Sequence, residues 1–189
     1  MPAGDQQGPR PDLTPSLVVR LRAGEATAGG LLNDLYREPM LRFCWGYLGN
    51  EQDAEDAVQE VFCNVLRTGG VPENFRAWLY KIARRHCLNV LRGYARRRDA
   101  SPLPSDSRLG ADQTGNLTRL VRREQRSRVA HLVEALPADQ REVLRMRYVE
   151  KLPRAEIAYV LDLPESVVKS RLFEGSKKLR DHTSLLDEE

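Results

Sequence analysis

The chain has 189 residues, 41% of them hydrophobic and 30% charged, with a formal net charge of +3 at pH 7. That length allows one ordinary domain or two small helical ones, and so small a net charge leaves the distribution of charge, not its total, to bear on any nucleic-acid role. No stretch approaches the roughly 20 apolar residues that cross a membrane, and the opening MPAGDQQGPRPDLTP lacks the apolar core of a signal peptide, so the expectation is a cytoplasmic protein.

Residues 1–15 hold prolines, glycines and little to bury, and are expected to form a disordered tail. A short helix is predicted over Ser16 to Ala23, after which Gly29 and Gly30 interrupt the chain. LLNDLYREPMLRFCWGYLG then offers an apolar face of Leu31, Leu32, Leu35, Met40, Phe43, Cys44 and Tyr47 on either side of Pro39, which should end or kink its helix. Gly49 and Asn50 turn the chain into the next element.

That element, DAEDAVQEVFCNVL from Asp53 to Leu66, reads as a helix with two clean faces. Ala54, Ala57, Val58, Val61, Phe62 and Val65 fall at i, i+3, i+4, i+7, i+8 and i+11, the stripe of a helix packed on a core. Asp53, Asp56, Gln59 and Glu60 form the other face, with acids in the first turns where the helix dipole favours them. Taken alone, this is a well-capped solvated face.

Gly69, Gly70 and Pro72 close that helix. From Phe75 to Arg98 follow Arg76, Lys81, Arg84, Arg85, Arg92, Arg96, Arg97 and Arg98 without one acid. Trp78, Leu79, Ile82, Ala83, Cys87, Leu88 and Leu91 mark its apolar stripe. Arginines on a solvated face are common, but charge of one sign beside Phe75, Trp78 and Tyr80 pairs cations for phosphate with flat surfaces for stacking. Trp78, being on the stripe, is the one of the three expected in the core.

Asp99 to Asn116, DASPLPSDSRLGADQTGN, has almost nothing to bury and reads as a linker. Helix resumes at Leu117, with Val129, Leu132, Val133 and Leu136 facing a core, and Pro137 suits the first turn of a helix that buries Val143, Leu144 and Tyr148. Ala155 to Leu161, a turn at Asp162 to Pro164, and Glu165 to Arg180 form a helix-turn-helix pattern. Ile157, Ala158 and Leu161 face inward from its first helix, and Val168, Leu172 and Leu179 from its second. Asp162 stands at the turn, as one of the few residues that tolerate a left-handed backbone. The opposite face of the second helix carries Ser166, Lys169, Ser170, Phe173, Glu174 and Lys177, a recognition-helix layout for the major groove, and Lys169 and Arg171 are candidates for phosphate contact. An ordinary helical hairpin is the plain alternative.

Cys44, Cys63 and Cys87 are odd in number and form no CxxC pair, so reduced, buried thiols are expected. His86 adjoins Cys87, yet neighbouring helix positions point apart and no further ligand lies near; no metal and no cofactor is expected. The fold class is therefore all-α: a helical bundle over 16–98 and a helix-turn-helix domain over 117–189, joined by a flexible linker at 99–116.

DAEDAVQEVF, followed by FRAWLYKIARR, resembles the second conserved region of bacterial sigma factors of the extracytoplasmic-function type. LPADQREVLRMRYVEKLPRAEIAYVLDLPESVVKSRL resembles their fourth region, and order and spacing agree. The resemblance implies that Asp53, Asp56, Gln59 and Glu60 dock on a coiled coil of the clamp of core RNA polymerase. It implies that Asn74, Phe75, Lys81, Arg84, Arg85 and Asn89 face the melted minus-ten strand, where one unstacked base is held in a pocket. Flipping a base costs a few kcal/mol unless the strand is already open, which fits a protein that acts with a polymerase. Ser166, Lys169, Ser170, Arg171, Phe173, Glu174 and Lys177 would read an upstream duplex element, the linker would thread the polymerase, and an anti-sigma protein is the usual control.

Two departures stand out. Arg85 replaces a common Asn, so the base preference does not transfer, and KSRLFEGSKK has Glu174 and Gly175 where relatives usually have Arg and Ala. At a base edge Glu174 could only accept, for example from cytosine N4; equally, it could pair with Lys177 or Lys178 at i+3 or i+4. No cluster of His, Asp, Glu or Cys has catalytic spacing, so an RNA-processing enzyme finds no support and no enzymatic role is expected. A polymerase-independent helix-turn-helix regulator is the competing function, and the acidic helix beside an arginine-rich one argues against it.

Overall fold

Asn50 shows how locally the helices of this chain are set. Its extended backbone (φ −134°, ψ 131°) stops the preceding segment, and its Oδ1 accepts from Asp53 N–H at 3.1 Å, supplying a partner for one of the unpaired donors at a helix start. The computed structural model describes residues 14–68, 70–100, 133 and 135–184. Among them the helices are α1 (Thr14–Arg22), α2 (Ala28–Leu48), α3 (Glu51–Arg67), α4 (Phe75–Ala100), α5 (Ala138–Tyr148), α6 (Arg154–Leu161) and α7 (Glu165–Ser184). The chain is all-α and divides into two compact units after Arg92.

In the first unit α2 and α3 run on from one another through Gly49, whose φ of 67° is left-handed and whose N–H reaches Trp45 O at 2.7 Å. The predicted stripe of α3 is inside: Ala54, Ala57, Val58, Val61 and Val65 are all buried, and Phe62 is half-buried. Leu17 and Val18 of α1, and Leu32, Tyr36, Met40 and Phe43 of α2, complete that core with α4. Rings tie α2 to α4. Phe43 meets Tyr80 edge-on at 4.9 Å, and Tyr36 meets Phe75 edge-on at 5.5 Å.

Several expectations change here. Gly29 and Gly30 lie in the first turn of α2 instead of interrupting the chain, and α2 passes through Pro39 without ending. A proline inside a helix costs about 3 kcal/mol; burial of Tyr36, Met40, Phe43 and Cys44 on both sides of it offsets that cost. Cys44 and Cys87 are buried but Cys63 is exposed, because it lies two residues from both Val61 and Val65 and so points away from the side they bury.

In the second unit α5 and α6 both pack on α7. Leu163 N–H closes on Ala158 O, and Asp162 takes the left-handed conformation (φ 53°, ψ 45°) expected of it. Ile157, Val160, Leu161 and Val168 are buried, while Ala158 is only partly so. Tyr148, expected inside, is 58% exposed. The chain turns back after α5, Leu152 N–H donating to Met146 O at 3.0 Å, and Leu152 is the residue fully buried at that end. α6 begins one residue before the predicted start, and α7 runs four residues past the predicted end. α4 continues to Ala100; the rest of the predicted linker, most of the helix predicted from Leu117 and the N-terminal 13 residues lie outside the described residues.

Candidate polymerase and nucleic-acid surfaces

α3 turns its polar side to solvent as its periodicity requires. Asp56, Gln59 and Glu60 are exposed and Asp53 is half-exposed. Two of the four are steadied along the helix: Gln52 Nε2 donates to Asp56 Oδ1 at 3.3 Å, and Asn64 Nδ2 donates to Glu60 Oε1 at 3.3 Å. These i to i+4 contacts on an exposed face stabilise the helix by only a few tenths of a kcal/mol each. They leave a rigid acidic strip with Gln59 in its middle. Glu55, at its border, is instead taken by Arg37 of α2 at 3.1 Å.

α4 places its predicted strand-facing residues differently from one another. Arg85 and Asn89 are exposed, and Asn89 Oδ1 accepts from Arg92 Nη1 at 2.9 Å. With Arg92 and Arg96 they follow spacings of four, three and four, so one solvent face carries three arginines and an amide. Lys81 and Arg84 are half-buried. Asn74 is exposed and starts the helix, its Oδ1 receiving Ala77 N–H at 3.4 Å.

Phe75 corrects the expectation. Its side chain is fully buried, against Tyr36 and Trp78, so it cannot stack on a nucleotide; it belongs to the core because the first turn of α4 lies on α2. Tyr80 is buried against Phe43 in the same way. Trp78, expected inside, keeps part of its ring in solvent.

On α7, Ser166, Lys169, Ser170, Phe173 and Lys177 are exposed at i, i+3, i+4, i+7 and i+11, with Phe173 64% exposed. They form one unobstructed face. Arg171 and Glu174 are turned to α5 instead. Arg171 Nε lies 3.2 Å from Asp139 Oδ2 with 28% of its side chain exposed, so the predicted phosphate contact is occupied by an ion pair within the unit. Glu174 Oε2 accepts from Gln140 Nε2 at 2.9 Å, a partner that neither sequence-based alternative included. No sequence signal marked Gln140, a polar residue of α5 that is only 6% exposed. Gly175 did carry one, since a lone glycine inside a helical pattern costs about 1 kcal/mol against alanine and so calls for a packing or functional reason.

No helix among the described residues is long and apolar enough to cross a membrane. Residues 32–98 match the family model for sigma-70 region 2, and residues 126–179 match that for sigma-70 region 4. The chain is 30% identical over 177 residues to the RNA polymerase sigma-H factor of Pseudomonas aeruginosa, covering 86% of this chain and 90% of that one. It is 25% identical over 173 residues to the ECF RNA polymerase sigma factor SigW of Bacillus subtilis, covering 86% and 92%. In fold it is similar to CnrH, solved in complex with the cytosolic domain of CnrY, at a TM-score of 0.63 and 22% identity over 94% of this chain and 99% of that one. It is also similar to the sigma factor RpoE of Bartonella quintana, solved with the anti-sigma factor NepR, at a TM-score of 0.58 and 19% identity over 90% and 95%. Both sigma regions occur here in order, and the chain belongs to the ECF RNA polymerase sigma factor family.

Proposed function

We propose that this chain docks on core RNA polymerase through Asp53, Asp56, Gln59 and Glu60 of α3, meets the melted minus-ten strand with α4 and the loop before it, and reads an upstream duplex element with α7. The observation that carries this reading is the exposed face of α7. Five residues able to meet bases or phosphate stand clear of all intradomain contacts described for that helix, while its other side packs on α5 and α6. Lys169 and Lys177 supply charge for phosphate, Ser166 and Ser170 supply hydroxyls, and Phe173 supplies an apolar surface. Exposed Arg85, Asn89, Arg92 and Arg96 on α4 support contact with a single strand through charge. Phe75 has no part in that surface.

The reaction belongs to the polymerase, and this chain supplies recognition. Its place of action is accordingly the cytoplasm, and a control protein covering the α3, α4 or α7 surfaces is an expected partner. The complexes in which CnrH and RpoE were solved support that expectation. The direct test is in vitro transcription with core RNA polymerase on a genomic library, with start sites mapped. Start sites that share two spaced upstream motifs are the expected result. Specific binding of duplex by the chain alone, with no effect on the polymerase, would favour the polymerase-independent regulator.

A further inference from the structure

Three residues spaced i, i+3 and i+4 on α7 meet α5 and leave the reading face untouched. Arg171 pairs with Asp139 at 3.2 Å, Glu174 accepts from Gln140 at 2.9 Å, and Gly175 lies against Leu144. A Cβ added at Gly175 would stand 2.8 Å from Leu144 Cδ1, closer than packed atoms come, and would touch Gln140 Cβ at 3.4 Å. Gln140 is buried and its Oε1 has no hydrogen-bond partner among the described residues, so the bond from Nε2 to Glu174 anchors that amide. A carboxylate on a helix that approaches DNA is repelled by phosphates. Reading a base edge would require Glu174 to work against that field and to turn into the groove a carboxylate held toward α5, whereas fastening α7 requires neither.

We infer that Glu174 is a positioning residue. Tied to Gln140, with Gly175 letting α5 come close, it sets the rotation of α7 and hence the register at which Ser166, Lys169, Ser170, Phe173 and Lys177 meet the duplex. The inference rests on the proposed reading of an upstream duplex by α7.

The test uses holoenzyme assembled from the full chain and core RNA polymerase, with selection from duplexes randomised in the upstream element and affinities for the selected sequence. The variants are Glu174→Ala, Glu174→Gln, Gln140→Met, which keeps the length of the buried side chain without its amide, and the double variant Gln140→Met with Glu174→Ala. Glu174→Ala and Gln140→Met are each expected to weaken binding about three- to tenfold. The double variant should be no weaker than either single one, and Glu174→Gln, which keeps an acceptor, should bind as wild type. Any change in preference should spread over several base pairs. A shift confined to one base pair in Glu174→Ala, or single effects that multiply in the double variant, would overturn the inference. Glu174 is exposed, so its variants keep the test decisive even where Gln140→Met folds poorly. A wild-type holoenzyme that selects no upstream motif would reject the proposed function itself, a result distinct from failure of the positioning role.

Discussion

Arg22 Nε donates to the carbonyl of Val71 at 2.9 Å and so joins the end of α1 to the loop before α4. Val71 is itself buried, and three residues later Asn74 caps α4. The loop that the proposed function presents to the melted strand is thus held from behind at one point and ended by a cap at another.

Replacing Arg22 with Ala is expected to cost about 1 kcal/mol of stability, the usual worth of one such bond. The local effect should be larger than the global one, since the bond is made at the loop itself. Amide exchange at Gly70, Val71, Glu73 and Asn74 should quicken while α3 keeps its protection. Equal exchange rates in that loop for wild type and Arg22→Ala would show that the bond contributes nothing to its position.

Phe75 gives a way to separate core from surface. Phe75→Ala should cost about 3–5 kcal/mol, as for other fully buried aromatic rings, whereas Phe75→Leu, which keeps most of the apolar volume, should cost about 1.5 kcal/mol or less. Urea unfolding measures both. Holoenzyme carrying Phe75→Leu should hold a melted minus-ten strand as tightly as wild type; a folded Phe75→Leu protein that loses the strand would return Phe75 to the DNA surface.

The contrast between α3 and the first turn of α4 shows what the sequence made legible. In α3 the apolar spacing, the acids of the first turn and Asn50 all act along the helix itself, and the structure follows them. In the sequence Trp78 falls on the apolar stripe, while Phe75 and Tyr80 look like aromatic residues offered beside cations. Which ring is buried depends on where α2 places Tyr36 and Phe43, a tertiary fact with no local mark. Of the two outcomes expected at Pro39, a stop or a kink, the stop does not occur, packing having outweighed a local penalty. On α7, Ser166, Lys169, Ser170, Phe173 and Lys177 are exposed as the periodicity suggested, but Glu174, expected on the same face, and Arg171 meet partners on α5, more than 30 residues earlier. Asp162, by contrast, was readable because a left-handed turn depends on its own backbone.

The α3 strip should tolerate change without loss of fold. Gln59→Ala with Glu60→Lys removes an exposed amide and reverses an exposed charge, giving up the exposed contact from Asn64, so the stability change should stay within about 0.5 kcal/mol. Affinity for core RNA polymerase should fall, and fall less steeply at high salt, where exposed charges are screened. Unaltered affinity for core in the double variant, with an unaltered circular dichroism spectrum, would remove the docking role of this face.

Gly175 and Leu144 set two opposed effects of similar size against each other. Alanine in place of a helical glycine gains about 1 kcal/mol of helix propensity, while its methyl would enter the space of Leu144 Cδ1 and overpack the contact at a cost of about 1–3 kcal/mol. The net expectation for Gly175→Ala is a loss of about 1 kcal/mol, read by thermal unfolding. Leu144 is 4% exposed, so Leu144→Val should itself lose about 1 kcal/mol for the methylene removed. That change opens the space the new methyl needs. In the Leu144→Val background, Gly175→Ala should therefore be neutral or stabilising, and the four proteins form a cycle with a coupling of roughly 1–2 kcal/mol. Gly175→Ala that raises the melting temperature in the wild-type background would mean that Leu144 gives way freely, and that the approach of α5 to α7 does not depend on the glycine.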